Sequence, residues 1–188
     1  MRAGLCLKGG LACAFSLAVL AALTGARPAH AYERQQHLGV SAGGMAFAPN
    51  GGGTTFGGNL GLHYNYGLSD AFTLVLEADA SAFPLGTAPK TPPPQPSFVT
   101  TGGVGLVYVF DVLRWVPYAG GLVGAGYFAG GYLPKGVGAL DLEIAAGLDY
   151  QITRTWTVGA AYRQHFFVTQ TNTFGETISL RFQYVWGW

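Results

Sequence analysis

Hydrophobic and polar residues alternate one by one along most of the chain. From Phe56 to Tyr66 the even positions carry Phe56, Leu60, Leu62, Tyr64 and Tyr66, while the odd ones carry Asn59, His63 and Asn65 among glycines. A period of two marks a strand with one apolar and one polar face. The same split recurs over residues 72–82, 98–110, 116–128, 138–150, 155–167 and 174–186. Residues 37–47 are a weaker case, because Gly and Ala blur the two faces. The pattern predicts eight strands with the apolar face on even numbers throughout. Ionisable side chains test that parity: His63, Glu77, Asp79, Asp141, Glu143, Asp149, Arg163, His165 and Arg181 are odd, and Glu176 is even.

The connections also alternate. Short turns are expected at Gly67–Asp70, Asp111–Trp115 and Gln151–Arg154, and looser loops at Ala48–Thr54, Pro84–Pro96, Ala129–Gly136 and Val168–Thr173. Asn50-Gly51 and the run Pro92-Pro93-Pro94 are turn and breaker signals. No window beyond residue 31 offers the 18 or so consecutive apolar residues of a membrane helix. A ten-residue strand tilted by about 45° instead rises roughly 24 Å, the height of the apolar band of a membrane barrel. Lipid provides no hydrogen bonds, so strands cross it only when the sheet closes. The expected fold is all-β, an eight-stranded antiparallel up-and-down transmembrane barrel.

The even face is layered. Tyr64, Tyr66, Phe72, Tyr108, Phe110, Tyr118, Tyr150, Trp156, Tyr184 and Trp186 fall beside the short turns, and Phe56, Phe98, Phe128, Phe166 and Phe174 toward the loops. Ala78, Gly102, Val104, Leu122, Ile144, Ala160 and Leu180 lie between them. Two aromatic belts around an aliphatic middle suit the two interfaces of a bilayer. A lipocalin-like barrel or a β-sandwich shares the alternation, with the charged face outside. Composition separates them: 10% of the 188 residues are charged against 49% hydrophobic, whereas soluble domains carry about 25% charged residues.

Residues 1–31 read as an export signal. Arg2 and Lys8 begin it, an apolar stretch runs from Leu11 to Thr24, and Ala29-His30-Ala31 has the A-x-A form of a cleavage site. The domain organisation expected is a cleaved signal peptide over 1–31 and a barrel domain over 32–188, helical leader first. Cleavage removes Cys6, Cys13 and three basic residues, leaving seven basic side chains against nine acidic. The mature chain therefore has no disulfide or thiol chemistry, and its balance excludes a nucleic-acid partner.

Three features resemble the small OmpA/OmpX/OmpW-type outer-membrane β-barrels of Gram-negative bacteria. They are Tyr66-Gly-Leu-Ser-Asp-Ala-Phe-Thr-Leu74, Val116-Pro-Tyr-Ala-Gly-Gly-Leu-Val-Gly-Ala-Gly126, and the alternation Leu180, Phe182, Tyr184, Trp186, Trp188 up to a terminal aromatic. The resemblance implies that those last five residues form the signal read by the barrel-assembly machinery. It also implies a bacterial outer-membrane location, contact with outer-membrane lipids, and a role in envelope integrity, surface contact or limited passage of solutes. A monomer is expected.

The odd face then points into a lumen that eight strands make just wide enough to fill with side chains. Glu77, Asp79, Asp141 and Glu143 are expected to face Arg163, Arg181, His165 and His63 there, because a buried charge without a partner costs several kcal/mol. The four anions and four cations balance if both histidines are protonated. A filled plug is the expected arrangement, and a narrow polar pathway the alternative. A lipid-modifying enzyme is a weaker reading. Tyr162-Arg-Gln-His-Phe-Phe167 resembles the histidine strand of lipid A deacylases, yet Phe167 and Val168 stand where that family has serine and asparagine, and His165 has inward parity. No catalytic residue and no cofactor is expected. Metal ligation by Asp141, Glu143 and His63 has no ligand spacing behind it, and the glycines of 120–126 suit close strand approach rather than a nucleotide loop.

Overall fold

The computed structural model describes residues 33–48, 53–84, 95–110, 114–168 and 173–187. They form β1 (Gln36–Ala48), β2 (Thr55–Gly67), β3 (Phe72–Ala82), β4 (Phe98–Val109), β5 (Trp115–Ala129), β6 (Val137–Gln151), β7 (Trp156–Val168) and β8 (Thr173–Trp186). Each strand pairs antiparallel with its neighbour in sequence, and β1 pairs with β8, so the sheet closes. Closure gives every strand two hydrogen-bonded neighbours and removes the open edge that hydrocarbon cannot satisfy. No helix among the described residues is long and apolar enough to cross a membrane. The leader at 1–31, the Asn50-Gly51 turn, the Pro92–Pro94 run and Trp188 lie outside the described residues.

Two of the short turns use one device. Ser69 Oγ accepts from the Phe72 amide at 3.1 Å, and Thr153 Oγ1 accepts from the Trp156 amide at 3.1 Å. A hydroxyl three residues ahead of the next strand thus fixes where pairing resumes. At the opposite end β5 leaves the sheet through Gly130 and Gly131, both at positive φ, a conformation glycine adopts without strain.

The outward face is an apolar coat. Leu180 is 72% exposed and Phe56 71%, with Leu60, Leu62, Ile144 and Ile178 close behind. Aromatic pairs ring the turn end, among them Phe72 with Tyr108, Trp115 with Tyr150 and Trp156 with Tyr184. Phe166 and Phe174 meet edge-on at the loop end. Glu176 is the one charged strand residue on this face among those described, opposite Gln164 of β7. Such a surface is stable against hydrocarbon and costly against water.

The expected parity holds for seven strands and fails for β5. Partner numbers sum to an even value across β1–β2, β2–β3, β3–β4, β6–β7, β7–β8 and β8–β1, as in Phe72 with Tyr108. Across both edges of β5 they do not: Tyr108 faces Ala119, and Tyr127 faces Gly138. Tyr118, Leu122 and Phe128, expected on the lipid face, are therefore buried in the lumen, while Trp115, Val123 and Tyr127 point outward. The neighbouring strands accommodate the inversion. Inward glycines on the flanking strands leave the space: a Cβ at Gly147 would collide with the Tyr118 ring, and one at Gly105 with Leu122. The strand carries no Asp, Glu, Lys, Arg or His that could have shown its parity from the sequence.

Nitroxide labels on single cysteines test this inversion. A label at Val123 in reconstituted protein should relax strongly with oxygen dissolved in the bilayer, and one at Leu122 should not. The opposite ranking would restore even parity to β5.

Candidate functional site in the barrel lumen

Inward side chains fill the barrel in three layers, each set by where the residues fall along their strands. At the loop end Met45, Phe47, Phe83, Val99, Phe128, Ala139 and Phe167 form one buried apolar cluster. Phe47 packs on Phe83 and Phe128 at 5.7 and 5.5 Å between centroids, and Phe128 meets Phe167 edge-on at 4.9 Å. These rings pack together inside the lumen at that end.

The middle layer is ionic. Arg163 of β7 reaches Glu77 Oε2 at 3.0 Å, Asp79 Oδ2 at 2.9 Å and, through Nε, Glu143 Oε1 at 3.6 Å. One planar guanidinium thereby serves three carboxylates from β3 and β6, as its fork of five donors allows. His165 Nδ1 lies 2.8 Å from Asp141 Oδ2 and 3.6 Å from Glu143 Oε2, and its Nε2 lies 3.4 Å from Thr177 Oγ1. The His165 ring stacks flat on Phe167, which joins this layer to the apolar cap. Beside it Asn59 donates to Ser81 at 2.9 Å.

The layer nearest the turns is divided. Val75, Val107, Val109, Val116, Tyr118, Leu122 and Ala145 make an apolar wall. Opposite it Arg181 donates to the Tyr118 hydroxyl, lies 4.9 Å from the centre of that ring, and approaches Asp149 at 4.0 Å. Gln183 donates to the same Asp149 carboxylate at 2.8 Å. Between wall and network lies a cavity of about 40 Å³, lined among others by His37, Glu77, Tyr118, Asp149, Arg163 and Arg181. It has room for about two or three water molecules.

All eight residues read from the sequence as a lumen network point inward, and they divide into separate groups. Glu77, Asp79, Asp141, Glu143, Arg163 and His165 meet in the middle layer. Arg181 stands apart from them, engaged with Asp149 and Tyr118. His63 makes no hydrogen bond through either ring nitrogen among the described residues, and its ring lies over Gly39. The four-against-four balance therefore does not describe the middle layer: four carboxylates there face one guanidinium and one imidazole. Asp149 and Gln183 carried the right odd parity to be found from the sequence. Tyr118 was hidden by the inversion of β5. Leu180, Phe182 and Tyr184 are exposed on the outward face of β8 with Trp186 partly so, the alternation expected of the assembly signal, and Trp188 lies outside the described residues.

No protein-family model and no curated protein sequence matches the chain. Solved structures do. Neisserial surface protein A is similar with a TM-score of 0.64 at 15% identity, covering 79% of this chain and 96% of that one. Ail, the attachment invasion locus protein of Yersinia pestis, gives 0.58 at 15% identity over 82% of this chain and 99% of its own. The outer membrane protein OprG of Pseudomonas aeruginosa gives 0.58 at 12% identity, over 85% and 100%. At such identities the likeness concerns architecture, and it agrees with the closed sheet and the apolar coat: the chain has the fold of the small eight-stranded outer-membrane barrels of the OmpA/OmpX/Ail type.

Proposed function

We propose that the chain is an integral protein of the bacterial outer membrane, exported through cleavage after residue 31, and that it is a non-enzymatic, non-conducting barrel serving envelope structure or surface contact. The observation that carries this reading is a lumen packed with side chains inside a coat that favours hydrocarbon. Support for a plug comes from the loop end, where Phe47, Phe83, Phe128 and Phe167 pack in one buried apolar cluster. The arrangement of Asp141, His165 and Thr177 has the order of an acid, a base and a hydroxyl, but Thr177 is 1% exposed and lies inside the barrel. A nucleophile needs a substrate within bonding distance, and lipid stays on the other face. Surface contact is supported by the likeness to a surface protein and an attachment protein, and by loops that are the natural seat of partner specificity. Outer-membrane lipids, and the barrel-assembly machinery during biogenesis, are the partners this reading requires, with the barrel acting as a monomer.

Planar-bilayer recording decides between plug and pore. The purified barrel should give no discrete conductance steps. Steady unit steps that change with Glu77→Gln would replace the plug with a narrow pore.

The middle layer should also carry stability. Arg163→Ala leaves three buried carboxylates without their shared cation, a loss of about 3–5 kcal/mol for a broken buried ionic network. Lys135→Ala, on an exposed loop, should change stability by less than about 0.5 kcal/mol. The temperature at which unboiled and boiled gel mobilities merge reports both, and equal shifts would show that the lumen charges do not hold the barrel. The same gel run on membrane fractions checks location: a protein found in the periplasm with one mobility would end the outer-membrane reading.

A further inference from the structure

We propose that Asp141, Glu143 and His165 bind a divalent transition-metal cation inside the barrel, with zinc the ion whose chemistry fits the donors best. The topology brings them together. Asp141 and Glu143 are two apart on β6 and so both face the lumen, and the register sets Glu143 opposite His165 on β7. One donor atom from each lies within 4.8 Å of the other two.

The donor atoms are arranged as ligands. His165 Nδ1 lies 2.8 Å from Asp141 Oδ2 and 3.6 Å from Glu143 Oε2. Tetrahedral zinc, with bonds of about 2.0–2.1 Å, holds its ligand atoms about 3.3 Å apart, and these two distances bracket that value. His165 and Glu143 are also held from behind. Nε2 of His165 faces Thr177 Oγ1 at 3.4 Å, so a proton on Nε2 leaves the Nδ1 lone pair aimed at the carboxylates. Glu143 turns its other oxygen toward Arg163 at 3.6 Å, which orients the carboxylate from behind.

Two independent observations point to a missing positive charge. Asp141 Oδ1, the second oxygen of a carboxylate that is 5% exposed, has no hydrogen-bond partner among the described residues. Such atoms are rare without a ligand or a proton to satisfy them. The layer as a whole sets Glu77, Asp79, Asp141 and Glu143 against Arg163 and His165. A protonated His165 leaves two negative charges over, and a neutral His165 with a divalent ion leaves one. Burial of uncompensated charge is expensive, so the ion answers the imbalance better than the proton does. His63 has no part in this site. It sits on β2 with Glu77 as its register partner, whereas the imidazole within reach of Asp141 comes from β7.

The test uses the untagged full-length chain folded in detergent. After incubation with zinc chloride and desalting, metal analysis should find about one zinc per chain. Asp141→Asn, nearly isosteric, and His165→Gln should each lower the retained zinc at least about tenfold, while Asp149→Asn, in the layer nearest the turns, keeps it; folding of each is checked by heat-modifiable mobility. Cobalt in place of zinc should give visible ligand-field absorption without a thiolate charge-transfer band. Folded protein that retains no zinc overturns the proposal, as does zinc that persists in folded Asp141→Asn, or a charge-transfer band assigning the ion to Cys6 and Cys13. If His165→Gln fails to fold, the wild-type stoichiometry, the cobalt spectrum and Asp141→Asn decide alone.

Discussion

A backbone amide in hydrocarbon finds no partner except another backbone group, and that constraint orders the rest of this molecule. It requires β1 to pair with β8, since an open edge would leave a row of donors and acceptors in lipid. Closure then fixes two faces of opposite character. The outer one must be apolar over the height of the bilayer, and the inner one takes the Asp, Glu and Arg side chains of the described strands, Glu176 excepted. Because eight strands enclose little more than the volume of their own inward side chains, those charges meet one another rather than water.

The narrowness of the lumen makes size on one strand depend on size on the next. Tyr118 fits because Gly147 has no side chain, and Asp79 fits because a Cβ at Gly61 would collide with its carboxylate. Interiors packed to this density answer a volume change at one position with strain at another. The inverted β5 is the largest expression of that dependence. Its three bulky inward residues occupy space that Gly105, Gly147 and their neighbours leave, while Gly120, Gly124 and Gly126 alternate with them on the same inward face.

The architecture was legible because one physical signal, period-two alternation, repeats in every strand and agrees with the spacing of turns and loops. Strand limits read from it match the observed ones within about two residues, and the odd parity of the charges identifies the lumen. What could not be read was anything that depends on register across two strands. Even parity in β5 looked uniform because Gly and Ala on both faces carry no preference. The division of the ionic residues into an Arg163 group and an Arg181 group rests on which rungs face each other across the tube, and parity alone is silent on that. The same is true of His165 rather than His63 standing beside Asp141 and Glu143.

The charged middle layer is not demanded by the fold. The cap at the loop end and the wall beside Tyr118 show that this barrel accepts apolar filling, and replacing buried ion pairs by apolar side chains of similar volume is often neutral or stabilising. A tube lined throughout like its two ends would close just as well against lipid. Four carboxylates against one guanidinium and one imidazole are instead an arrangement with a deficit of positive charge, held in place by a structure that has no mechanical need of it. Specificity of strand register is one use such a layer can have, but a balanced set of pairs would supply that as well. The imbalance itself is what distinguishes the layer, and a bound cation accounts for it where register does not.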